Sequence, residues 1–229
     1  MHKKQAGKMA VDFKGVHHPK SVILYPVYFY VKYAVSYRDL EEIMAERGVD
    51  VDHATLNRWV VKFSTGIAAE AQKRKSLTAS SWRMDETYVQ VAYLYRAVDR
   101  VGRTLDFMRS AKRDKAAAHR FFKRAVAKNG VPDRVAIDKS GANLAGLQAV
   151  NVIRKFTGNG RLIRIMQSKY LNNMVEQDHR FIKRITRPTL GFKAFHSATA
   201  TLAGIETAHM IRKGQIIAPR NTGFRVRTH

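Results

Sequence analysis

Residues 172–186, NNMVEQDHRFIKRIT, set the carboxylate of Glu176 beside a run of cations. On a helix, at about 100° per residue, Arg180, Lys183 and Arg187 fall within about 40° of Glu176, and His179 within about 60°. Met174, Phe181, Ile182 and Ile185 take the opposite side. A basic stripe attracts phosphates, and a carboxylate inside it repels them unless a cation lies between. Phosphoryl transfer assisted by Mg²⁺ needs that combination, because hard ions take oxygen ligands and a few carboxylates suffice. Two ions about 3.5–4 Å apart can stabilise both the attacking and the leaving oxygen. Such chemistry needs further carboxylates. Asp85 lies in the strand-like WRMDETYVQV, alternating with Thr87 and Val89, so Glu86 faces the other way. Asp138 ends the apolar RVAID just before KSGAN, and ligand sites in α/β folds gather at the carboxyl ends of strands. Plainer readings stand beside these. Glu176 is three residues after Asn173 and could close a capping box. Asp138 could be a turn residue and Asp85 a solvated strand residue. Spacing alone leaves both readings open.

The elements that must position these groups can be read from the rest of the chain. Formal net charge is +24 over 229 residues. That exceeds what solubility requires and points to a polyanion, nucleic acid ahead of an anionic membrane surface or a ribosome-like scaffold. The chain has no cysteine, which excludes disulfides, thiolate zinc sites and cysteine nucleophiles. The most apolar run, residues 22–35, is too short for a bilayer and is broken by Pro26 and Lys32. With no signal-peptide pattern, the expectation is a soluble cytoplasmic protein that does not span a membrane.

Residues 1–20 read as a basic arm and 21–65 as a small all-α domain. In it, SYRDLEEIMAERGV carries Ser36 as a cap, Asp39 three residues later and Gly48 as a stop. DHATLNRWVVKF follows with Asp52 as cap and Leu56, Trp59, Val60 and Phe63 as its stripe. The pair resembles a helix-turn-helix with a longer turn, with Arg58 and Lys62 as candidate DNA contacts; a plain helical bundle is the alternative. Residues 66–81 lose apolar periodicity and read as a linker. From 82 to 215 come three strands, a helix, a strand and further α/β elements, the order of a mixed sheet flanked by helices. Residues 216–229 form a basic tail.

The blocks MDETYV, YLYRAVD, AKRDKAAAHRFF, IDKSGAN, KYLNNMVEQDHRFIKR, LGFKAFHSA and TLAGIE…HMIRKGQ are similar, in order, to the IS6-family (IS26-like) insertion-sequence transposases. The similarity runs over roughly residues 13–215 and takes in the helix-turn-helix. It implies an RNase H-like, retroviral integrase-type α/β domain with a mixed five-stranded sheet. It also implies a DDE triad formed by Asp85, Asp138 and Glu176 that binds two Mg²⁺ ions, with Mn²⁺ able to substitute. The implied activity is 3′-end cleavage at terminal inverted repeats and strand transfer into target DNA. A catalytically decayed copy that only binds DNA is the alternative. His179 and Lys183 would hold terminal phosphates, with Arg180, Arg187, Lys139 and Lys169 as further DNA contacts. Double-stranded DNA is the implied partner, with a homodimer or higher oligomer assembled on it.

The chain departs from the family pattern in several places, and one buried charge needs explaining. YVQVAYLY lacks the turn residues of a tight hairpin, so the first two strands are expected to be shortened or their hairpin damaged. The interval from Asp138 to Glu176 is longer than usual, with RKFTGNGRLIRI as the insertion. Pro26 falls inside an expected helix. Asp178 points to the apolar side of its helix and needs a buried partner.

Overall fold

The computed structural model describes residues 11–13, 17–89, 92–158, 160–168, 173–189 and 194–217. Two compact units result: residues 77–184, and residues 1–76 together with 185–229.

The unit spanning 77–184 is built on one sheet. β1 (Ser81–Val89), β2 (Ala92–Asp99) and β3 (Thr104–Ser110) make an antiparallel meander. β4 (Arg134–Ile137) and β5 (Arg164–Gln167) add in parallel on the other side of β1. The order β3-β2-β1-β4-β5, half antiparallel and half parallel, is RNase H-like. Pairing is continuous from Trp82↔Asp99 to Val89↔Ala92, so the first two strands are not shortened. Their register is held by burial of Trp82, Met84, Tyr95 and Ala97 on one face, and by the edge contact of the Tyr88 and Tyr93 rings. Residues 90 and 91 lie outside the described residues.

α4 (Lys115–Asn129) starts where the Asp114 side chain accepts from the Ala117 N–H, and it stops at Gly130, whose φ of 80° suits glycine. With α5 (Gly141–Phe156) it covers one face of the sheet through Phe121, Phe122, Ala125, Leu147 and Val150. The two helices approach closely at Gly146, where a Cβ would lie 2.6 Å from that of Ala118. α6 (Asn173–Thr186) buries Val175, Asp178, His179 and Ile182. Its buried face is therefore turned toward His179, while Met174 and Phe181 are only partly covered.

The helical unit contains α1 (Lys20–Lys32), α2 (Tyr37–Ala45), α3 (His53–Lys73) and α7 (Phe195–Arg212). Ser36 and Asp39 form a reciprocal capping box at the start of α2. The turn after α2 passes through Gly48 at φ 72°, and Asp52 caps α3. α3 continues through residues expected to form a linker, because Ala68 and Ala71 extend its buried stripe with small side chains. Pro26 lies inside α1 beyond its first turn, a defect of about 3 kcal/mol, offset by burial of Ile23, Val27, Tyr30 and Val31. α7 follows the sheet in sequence yet packs on α1 and α3. Gly204 permits this, since a Cβ there would lie 2.7 Å from both Ser64 and Val31. Among the described residues no helix is long and apolar enough to cross a membrane.

Candidate active site

The three carboxylates arrive from separate elements of one unit. Asp85 is central in β1, Asp138 is the first residue beyond β4, and β4 pairs directly with β1. Glu176 sits in the first turn of α6. Their charges reach one another. The Asp85 carboxyl is pushed up to about 7, first by burial, then by the charges of Glu86 and Asp138, with Glu176 adding to them and the Glu86 N–H opposing. The donor set is all oxygen, which fits a hard divalent cation. As they lie, no three carboxylate or imidazole groups among the described residues converge closely enough to enclose an ion.

A set of neighbours orients Asp138. Its Oδ1 accepts from the Ser140 N–H at 3.0 Å and from Asn143 Nδ2 at 3.2 Å. Arg113 Nη2 lies 3.6 Å from its Oδ2. Asn143 is fully buried and also donates to Glu86, which is paired with Arg113 through Nε. Glu86 faces away from Asp85, as strand alternation requires, and this buried carboxylate is matched by Arg113 and Asn143. Arg113 and Asn143 were not singled out in the sequence. The available signal was Glu86 itself, a charge on an apolar strand face that demands a partner.

On α6, Asp178 finds the buried partner it needs. Arg96 Nη2, on a residue with no exposed surface, is 3.0 Å from Asp178 Oδ2 and 2.7 Å from Thr104 Oγ1. His179 does not join the exposed basic stripe. It is only 4% exposed, and its Nε2 stands 3.6 Å from Asp85 Oδ2. That separation would suit an ion pair only with a charged ring. Burial, reinforced by Arg96, pushes the imidazole down to about 3, so the contact is that of a neutral ring. Neither ring nitrogen has a hydrogen-bond partner.

Arg180 and Lys183 are exposed on the side of α6 that carries Glu176, and Arg187 is exposed in the 3-10 turn Arg187–Thr189 that follows it. Lys139 is exposed beside Asp138. Lys169 lies outside the described residues. Arg58 and Lys62 are exposed on α3 in the helical unit, Arg58 donating to Thr55 and Lys62 resting over the Phe63 ring.

A family model described as a DDE domain, of the IS240 transposase type, matches residues 79–215. The transposase of the insertion sequence-like element IS431mec of Staphylococcus aureus is 37% identical over 199 residues, 85% of each chain. The transposase of insertion sequence IS257 in transposon Tn4003, also of Staphylococcus aureus, aligns to the same extent. The catalytic core of HTLV-2 integrase in complex with magnesium superposes with a TM-score of 0.43 and 17% identity over 58% of this chain and 87% of that one. The fold assignment rests on the strand order, and the family on the sequence relatives. On that footing the chain belongs to the IS6 family of insertion-sequence DDE transposases, enzymes of DNA transposition.

Proposed function

We propose that Asp85, Asp138 and Glu176 are the catalytic triad of a reaction that cleaves the 3′ ends of an insertion sequence and transfers them to target DNA. The observation that carries this reading is electrostatic. Burial first, and then acidic groups from β1, the end of β4 and α6, raise the Asp85 carboxyl, beside an exposed cationic stripe. In the first step a water oxygen attacks the phosphorus at the element's end, the P–O3′ bond breaks, and the departing oxygen takes up a proton. In the second, the freed 3′-hydroxyl attacks a target phosphodiester, a new P–O bond forms, and the target's own 3′ oxygen leaves. Neither step needs a nucleophilic side chain. The triad would hold two Mg²⁺ ions, or Mn²⁺ in their place, which supply charge stabilisation at the attacking and leaving oxygens.

The chain's own groups position the reactants. Asn143, the Ser140 N–H and Arg113 orient Asp138, and the imidazole of His179 packs beside Asp85. Arg180, Lys183, Arg187 and Lys139 would hold DNA phosphates next to the carboxylates, with Lys169 as a further contact. α2 and α3 would read the terminal inverted repeats, Arg58 and Lys62 facing DNA. Two ends must be cut and joined together, so a homodimer or larger assembly on DNA is expected, in the nucleoid of a bacterial cytoplasm.

A strand-transfer assay with the purified chain, Mg²⁺ and DNA carrying the element's ends tests this, with Glu176→Gln alongside. Joined products from the parent and none from the variant are expected. DNA binding without products in either sample would replace the reading with that of a decayed DNA binder.

A further inference from the structure

A groove of about 620 Å³ opens at the opposite end of the sheet from the carboxylates. Its walls include Ser81, Arg100, Asp133, Arg134, Arg161 and Arg164. Ser81 starts β1, Arg134 starts β4 and Arg164 starts β5. Ser81 is in register with Arg134, and Arg134 with Arg164. The two arginines therefore stand side by side, about 4.8 Å apart along the sheet.

Like charges beside one another on a sheet are destabilising. Asp133, the one acidic residue of the groove among the described residues, does not relieve them. Asp133 is held by Arg161 at 3.0 Å and by the Ser80 hydroxyl at 2.8 Å. Arg134 is steadied through one N–H, its Nε donating to Ser81 Oγ at 3.0 Å. Folding does not account for this pairing of cations, whereas an anion set between them would. Guanidinium groups present flat pairs of donors that match a phosphate.

Among the described residues only Ala79 and Leu162 contribute apolar side chains to the groove, and no aromatic ring lines it to stack a base. A small organic ligand would lack the apolar contacts such ligands usually find. A phosphodiester backbone needs none.

We infer that this arginine groove is a second DNA-backbone site, holding phosphates of a segment other than the one at the carboxylates. Asp85 is four residues along β1 from Ser81, so the two sites are about 13 Å apart along that strand. The choice of DNA as the polyanion rests on the transposase reading.

The test uses the full chain in EDTA and a labelled duplex of random sequence. Arg134→Gln/Arg164→Gln is compared with Arg120→Gln/Lys123→Gln, an equal loss of charge at exposed positions of α4. The groove variant should lower the slope of log affinity against log salt by about 2, and weaken binding at least roughly tenfold near 0.1 M salt. The α4 variant should leave the slope unchanged, and both should keep the parent's melting temperature. Arg164→Gln alone leaves the Arg134–Ser81 bond in place and guards against misfolding of the double variant; its slope should fall by about 1. An unchanged slope in the groove variants, or an equal fall in the α4 variant, overturns the inference. Unaltered DNA binding with lost self-association would overturn it in favour of an interface between copies of this chain. Because binding is read without Mg²⁺, a protein that binds this way yet joins no DNA ends would sink the catalytic reading alone.

Discussion

The two faces of the sheet are built on opposite principles from the same strands. Under α4 and α5, β1 contributes Trp82 and Met84 to an apolar core shared with Tyr95, Ala97 and Leu105. On the other face, β1 contributes Asp85, in register with Arg96 of β2, and α6 covers them with Asp178 and His179. The apolar face holds the unit together by burial. The charged face stabilises little by comparison, since a buried ion pair offsets much of its attraction with desolvation. The contrast separates what the unit needs in order to fold from what it keeps for chemistry. Glu86 is the exception. It enters the apolar face, and its partners Asn143 and Arg113 reach on to Asp138.

The largest effect should come from the charged face. Asp85→Asn, Asp138→Asn or Glu176→Gln should each lower strand transfer about 100–1,000-fold, the range assigned to lost transition-state charge stabilisation, while circular dichroism stays unchanged. Residual joining near the parent's rate would dissolve the functional contrast between the faces.

Next comes stability. Phe121→Ala should cost about 3–5 kcal/mol in urea unfolding. Arg96→Leu should cost a similar amount, about 3–5 kcal/mol, by stranding Asp178. The difference lies in rescue: Arg96→Met with Asp178→Leu should recover most of that loss, whereas no polar pair should replace Phe121. Failure of that rescue would mean the charged face also carries the fold.

Asn143→Ala probes the residue that bridges both. It should weaken Mn²⁺ binding and slow strand transfer about 10–100-fold, as loss of a group orienting a metal ligand does. An unchanged Mn²⁺ titration would reduce Asn143 to a partner of Glu86 alone.

The smallest effect should be Gly146→Ala, about 1–3 kcal/mol of overpacking between α4 and α5, read as a lower urea midpoint with Mn²⁺ affinity unchanged. A change in that affinity would show that the packed face and the charged face are coupled.

Much of this was legible in the residues. Alternation in β1 separates Asp85 from Glu86, and the order of strands and helices predicts a mixed sheet. Local chemistry also marks helix ends, with Ser36, Gly48 and Asp52 each where the structure uses them. These features are local, set by backbone geometry within a few residues, so a linear chain displays them. The same holds for the demand that Asp178 find a partner, because burying a charge alone is costly wherever the chain goes.

The identity of partners was not legible. Nothing near Asp178 in sequence points to Arg96, 82 residues away, which only the pairing of strands and helix brings to it. A helical wheel puts His179 within reach of the basic stripe, yet α6 turns it inward against Asp85, because the face it buries is chosen by the sheet beneath. Likewise, α3 runs on past the end of its strong apolar pattern because small side chains let it pack. The sequence by itself determined the elements, the acidic residues and the excess of positive charge. Tertiary structure alone decided which charges meet, since Coulomb interaction depends on separation in space and strand register sets that separation.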